Sequence, residues 1–112
     1  MGGYTNTKTE RRSERMKYIW HWEWKPEERK KENELSEKFQ QAMKENPDQF
    51  PKMLTNTCFT GRCKGFRLIE ADKEEQLMNL VALWWPTENW RLEAYLEAGE
   101  TFSKASQKWN PL

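Results

Sequence analysis

Between Met16 and Lys25 apolar and polar side chains alternate, with Met16, Tyr18, Trp20, Trp22 and Trp24 on one parity and Lys17, Ile19, His21, Glu23 and Lys25 on the other. A two-residue period is that of a β-strand with two chemically different faces, and the tryptophan face is built for burial. Pro26 follows where a helix accepts proline in its first turn. From Pro26 to about Glu45 the period lengthens, and Leu35, Phe39, Ala42 and Met43 form one apolar stripe. The charged run from Glu27 to Glu34 that opens this helix is expected in solvent. Asn46 and Pro47 end the helix, and Pro51 keeps it from resuming.

Met53 to Thr60 reads as a second strand, Thr60-Gly61 as a tight reversal, and Cys63 to Ala71 as a third strand, so a hairpin joins them. In the third strand, parity separates Phe66 and Leu68 from Arg67 and Ile69; Phe66 and Leu68 are assigned to the helix-facing side. Asp72 is placed to cap a second helix, with Glu75 completing the capping box. Leu77, Leu80, Val81 and Trp84 supply its apolar stripe, and Pro86 stops it. Glu88 to Glu97 alternates again, Trp90, Leu92, Ala94 and Leu96 against Arg91, Glu93, Tyr95 and Glu97, and predicts a fourth strand. Residues 1–15 are polar and without periodicity, so a flexible extension is expected before a domain at 16–98. In the tail, 99–112, the spacing of Phe102, Ala105 and Trp109 predicts a short helix.

The order β-α-β-β-α-β is the split βαβ arrangement, an α+β ferredoxin-like sandwich. Right-handed crossovers give an antiparallel sheet of order 4-1-3-2 with both helices on one face. The other face is left open. It is expected to carry Ile19, His21 and Glu23, Arg91, Glu93 and Tyr95, Arg67 and Ile69, and Leu54, Asn56 and Cys58. Such a mixture suits the lining of a small pocket.

The segments MKYIWHW and TGRCKGFRLIEAD, the Trp-ended second helix and WRLEAYLEA resemble a small uncharacterised domain family of the dimeric α/β-barrel superfamily, over roughly residues 16 to 98. The resemblance implies a ferredoxin-like fold and a homodimer in which two sheets enclose a ligand site. Members of that superfamily include cofactor-free monooxygenases, haem-degrading enzymes, small isomerases and plain ligand-binding domains. The motifs that carry the resemblance are structural, so they imply fold and assembly more than activity.

His21 is the only histidine, and Glu23 two residues on shares its face. Such a pair can act as a general base and its orienter, with Asn56, Arg67, Arg91, Glu93 and Tyr95 as ligand anchors. The competing reading is a histidine that only structures the interior. Cys58 and Cys63 fall opposite each other across the expected hairpin and form a redox candidate, free thiols being the first reading. Two thiols and a distant histidine fall short of a four-ligand metal set, and no cofactor is implied. Trp20, Trp22, Trp24, Trp84 and Trp90 are assigned to the core, and Trp85, next to Trp84, points elsewhere.

Lys64 to Ile69 resembles the RNP1 strand of an RNA-recognition motif. Leu68 stands where a second aromatic is expected, and Phe66 is assigned to the helix side. With 19 Lys and Arg against 18 Asp and Glu, no field draws in a polyanion, so nucleic acid is disfavoured. No apolar run reaches the length of a membrane span and no secretory signal is seen, so a soluble cytoplasmic protein is expected. There is no phosphate loop, nucleophile elbow or dinucleotide fingerprint. The function expected is binding or conversion of a small organic molecule on the open face; the alternatives are a sensor or interaction domain and single-stranded RNA binding.

Overall fold

The computed structural model describes residues 15–87 and 89–111. Met16–Glu23 forms β1, and a 3-10 turn at Pro26–Glu28 leads into α1, Arg29–Glu45. A second such turn, Pro47–Gln49, precedes the short strands β2 (Lys52–Met53) and β3 (Cys58–Gly61). Then come β4 (Lys64–Ala71), α2 (Glu74–Trp84), β5 (Trp90–Tyr95) and α3 (Gly99–Trp109). The architecture is α+β. The described strands make one antiparallel sheet in the order β2-β4-β1-β5, with β3 also paired to β4.

The expected second strand is broken in two, because Leu54–Thr57 leaves the ladder. Leu54 N–H still bonds Leu68 O at 2.8 Å, but Leu68 N–H donates to Thr55 Oγ1 at 3.0 Å. A threonine hydroxyl has taken the place of a backbone carbonyl, an exchange open to Ser and Thr. The hairpin differs too. Gly61 stays in β3 beyond a register shift after Phe59, and Arg62-Cys63 makes the turn. Cys58 therefore faces Phe66 rather than Cys63, and both cysteines are free thiols.

The largest correction concerns β4. Its register with β1 pairs Trp20 with Arg67, Tyr18 with Ile69, His21 with Phe66 and Ile19 with Leu68, and directly paired residues share a face. Arg67 and Ile69 thus lie on the helix side, and Phe66 and Leu68 on the open side, the reverse of the expectation. Gly65 shows why. It sits opposite Trp22, and a Cβ there would stand 2.8 Å from Trp22 Cζ2 and 2.1 Å from Cys58 O. Only glycine lets the bulged β3 and the tryptophan close over this position, and once that register is set a period of two decides every other side chain.

Ile69 and Trp20 from the sheet meet Phe39 of α1, Leu80 of α2 and Phe50 in one buried cluster, so α1 and α2 cover the same face. Phe39 is its hub. Its ring lies 5.6 Å from Trp20, 5.6 Å from Phe50 and 5.8 Å from Trp84, each edge to face, the arrangement that aromatic quadrupoles prefer.

At the start of α2, Gln76 does the work expected of Asp72 and Glu75. Its Oε1 accepts from Asp72 N–H at 2.8 Å and Lys73 N–H at 3.2 Å, and its Nε2 donates to Asp48 O at 3.1 Å. Asp72 instead pairs with Arg15 at 3.5 Å. The tail does form a helix, α3, in which every residue but Ser106 is exposed.

Candidate functional site

On the open face, β1 is flanked by β4 and β5, so that His21 lies between Phe66 and Arg91, and Ile19 between Leu68 and Glu93. His21 Nε2 and Glu93 Oε1 are 2.9 Å apart, a diagonal contact between neighbouring strands. An ionised carboxylate only accepts, so Nε2 of the imidazole is the donor in this contact. Arg91 reaches within 3.9 Å of the same carboxylate oxygen. The imidazole is half-buried, with 30% of its side chain exposed.

The carboxylate that meets the His21 ring is thus that of Glu93 on the neighbouring strand. Residues two apart on a strand are separated by roughly 7 Å, whereas a long side chain reaches a diagonal cross-strand neighbour readily. Glu23 ends β1 opposite Lys64, and its N–H donates to Asn89 O at 2.8 Å. Asn56 lies outside the ladder in the Leu54–Thr57 segment, where its carbonyl accepts from the Cys58 thiol at 3.4 Å. Tyr95 faces Lys17, which is paired with Glu97 at 2.6 Å. Of the expected set the structure brings His21, Arg91 and Glu93 into one cluster, and it turns Arg67 to the other side. His21, Thr60, Lys64 and Arg91, and with them Glu23 of the expected set, border a polar depression of about 430 Å³ at the hairpin end of the sheet. Phe66 stands on this open face, so burial under the helices no longer argues against base stacking in the RNP1-like run; Leu68 beside it still offers no second ring.

Arg67 leads to a second place, a cleft of about 290 Å³ between the sheet and α1. Trp20, Trp22, Trp84, Trp90 and Phe59 form its aromatic walls. From α1 come Glu32, Ser36 and Gln40, a polar row at every fourth residue, beside the stripe that contains Phe39. The half-buried Arg67 side chain makes one long bond, Nε to Thr55 O at 3.5 Å. Among the described residues no carboxylate lies within 4.0 Å of it. Burial holds its guanidinium below the ordinary value. Two buried indole N–H groups, those of Trp20 and Trp84, have no acceptor among the described residues, while Trp90 donates to Trp84 O at 3.0 Å.

Glu32 was expected in solvent with the rest of its charged run. Its carboxyl is raised above the ordinary 4.5, first by burial and then by Glu28, with Lys31 opposing. The native state thus holds this proton more tightly than the unfolded chain does, so the contribution of Glu32 is full below the unfolded value and is lost as pH rises through the native one. Urea denaturation across that window is expected to show stability falling with pH less steeply in Glu32→Gln than in wild type. Equal slopes would place Glu32 in water. The four-residue repeat of Glu32, Ser36 and Gln40 is the sequence signal that would have marked this face.

Among the described residues no group of three or more His, Cys, Asp and Glu side chains is placed to hold a metal ion, and no helix is long and apolar enough to cross a membrane. The family described as domain of unknown function, DUF3303, matches residues 16–108, most of the chain. This chain belongs to the DUF3303 family. No curated protein and no solved structure matched it. The DUF3303 match begins with β1 and runs through nearly all of α3, so it takes in the His21–Glu93 pair, the cleft and the terminal helix alike.

Proposed function

We propose that this domain binds a small organic molecule in the cleft between sheet and α1, and pairs with a second copy of itself through the opposite sheet face. One observation carries the ligand reading: a half-buried guanidinium, Arg67, stands in an aromatic-walled cleft with no carboxylate within 4.0 Å of it among the described residues. A charge withdrawn from water without a partner is unfavourable until something pairs with it. An apolar cavity with a few converging polar groups is the usual form of a ligand pocket.

Pairing is supported by Ile19, Phe66 and Leu68, which share the face opposite the helices with His21, Arg91 and Glu93. A contiguous apolar patch of this kind marks an interface, and a sheet face packed on its own copy is two-fold and self-complementary. This is the ferredoxin-like, dimeric α/β-barrel assembly that the sequence resemblance implies. Sedimentation at micromolar concentration is expected to show a dimer of the 13.6 kDa chain, and Phe66→Asp is expected to leave a folded monomer. A wild type that sediments only as a 13.6 kDa species rejects the pairing.

A second reading has its own observation, the 2.9 Å His21–Glu93 contact. There His21 Nδ1 takes a proton from a molecule held by Arg91 in the polar depression, and Glu93 orients the imidazole. General bases contribute roughly 10²- to 10⁴-fold to rate. The two readings separate in one comparison. Ligands from a fragment screen that lose affinity for Arg67→Met but not for His21→Ala support the cleft, and the reverse pattern supports the open face.

A further inference from the structure

We infer that the ligand of the cleft is a flat aromatic monocarboxylate, its acid group on Arg67 and its ring between the aromatic walls. The inference rests on the small-molecule reading of the cleft given above and adds the chemistry of what enters.

The cleft has an excess of donors, from the sheet and from the end of α2. Arg67 has one long bond to a carbonyl, and the indole N–H groups of Trp20 and Trp84 have no acceptor among the described residues. Trp20 is 5% exposed, so bulk water does not satisfy it. A carboxylate is the ligand group that supplies acceptors and charge together, and a planar guanidinium fork matches its two oxygens.

Charge sets the limit on that group. Arg67 is the one cation that borders the cleft among the described residues, and Glu23 and Glu32 border it as well. A phosphate monoester would bring about two negative charges to a place with one positive and two acidic side chains. Like charges in a half-desolvated site repel, so a singly charged acid is favoured over a phosphorylated one.

The walls determine shape. Trp20 and Trp84 meet edge to face at 5.5 Å, and Trp22 and Phe59 do so at 5.6 Å. Rings fixed in this way offer edges and faces to another ring, a contact that gains beyond the apolar area it buries. A cavity of about 290 Å³ is at the small end for organic ligands and holds roughly one or two fused rings. The polar row of α1 faces the cleft from the helix side, so a hydroxyl on the ring remote from the acid would find Glu32, Ser36 or Gln40 within the same wall.

Titration calorimetry of the full chain with 2-naphthoate, 6-hydroxy-2-naphthoate and neutral 2-naphthamide tests this. Both acids are expected to bind, with the amide weaker by ~10- to 100-fold, the range for a charge-assisted pair. In Arg67→Met the acid is expected to fall to the affinity of the amide, and Arg67→Lys is expected to restore part of the preference. Circular dichroism melts of each variant establish that it is folded. Equal binding of acid and amide by the wild type overturns the ligand class and leaves the cleft as a binding site. Failure of all three probes to bind overturns the inference, and a fragment screen that likewise finds no ligand weakened by Arg67→Met overturns the small-molecule reading of the cleft with it. Binding of naphthoate unchanged in a folded Arg67→Met places the acid elsewhere and also overturns it.

Discussion

Gly65→Ala is expected to lower the melting temperature by about 10 °C or to prevent folding. The added methyl would stand 2.1 Å from the carbonyl oxygen of Cys58 and 2.8 Å from a ring carbon of Trp22. The first of these atoms is backbone, so no side-chain rotation gives relief. Either β3 moves off β4, losing the pairs from Cys58–Phe66 to Gly61–Lys64, or Trp22 leaves its seat against Phe59. Overpacking of a tight site costs about 1–3 kcal/mol and occasionally more, against a total stability for such domains of about 5–15 kcal/mol. At roughly 4 °C per kcal/mol for a chain of this size, thermal denaturation followed by circular dichroism resolves the effect easily. A shift of only a degree or two would mean that β3 separates from β4 at little expense, and that the register of β4 has some other cause.

Phe39→Ala is expected to be as damaging by the opposite route. Phe39 is 2% exposed and touches the rings of Trp20, Phe50 and Trp84, so its removal leaves a void at the point where α1, α2 and the sheet meet. Phe→Ala in a core costs about 3–5 kcal/mol, the spread reflecting how far neighbours collapse. Here collapse is limited, since two of the surrounding rings, Trp20 and Trp84, are held edge to face by one another. Urea denaturation is expected to show a large fall in midpoint, with Phe39→Leu intermediate. Phe39 also borders the cleft, so the alanine variant, where it folds, is expected to bind the naphthoates more weakly than wild type. A loss below about 1 kcal/mol would remove Phe39 from the centre of the core.

How much of this was legible in advance depended on whether a second pattern competed with the true one. In β1 the tryptophans occupy one parity and the charges the other, and in α1 Phe39 has apolar neighbours at helical spacing, so strand, helix and core could be read directly. In β4, Phe66 and Leu68 stand on one parity and Ile69 and Ala71 on the other. Hydrophobicity alone does not choose between them; the choice is made by Gly65, through a contact with Trp22 that exists only after folding. That single ambiguity displaced Arg67 from the cleft to the open face. His21 and its face were legible, but its partner Glu93 lies on another strand and is determined by register, while the nearer residue in sequence, Glu23, stands roughly 7 Å along the same strand. Gln76 and Thr55 were hidden for a related reason. Each satisfies backbone groups in place of the residue that propensity names first.

The two borders of the sheet differ in what they offer to a foreign strand. On the β4 side the outermost backbone is a two-residue piece and a bulged four-residue piece separated by Leu54–Thr57, with Pro51 just before them. Interrupted, twisted edges of this type make poor templates for further pairing. The β5 border is a continuous six-residue strand, Trp90–Tyr95, and its protection is the charge of Arg91 and Glu93. Resistance to edge-to-edge aggregation is thus built into the backbone on one side of the molecule, while on the other it depends on two ionised side chains.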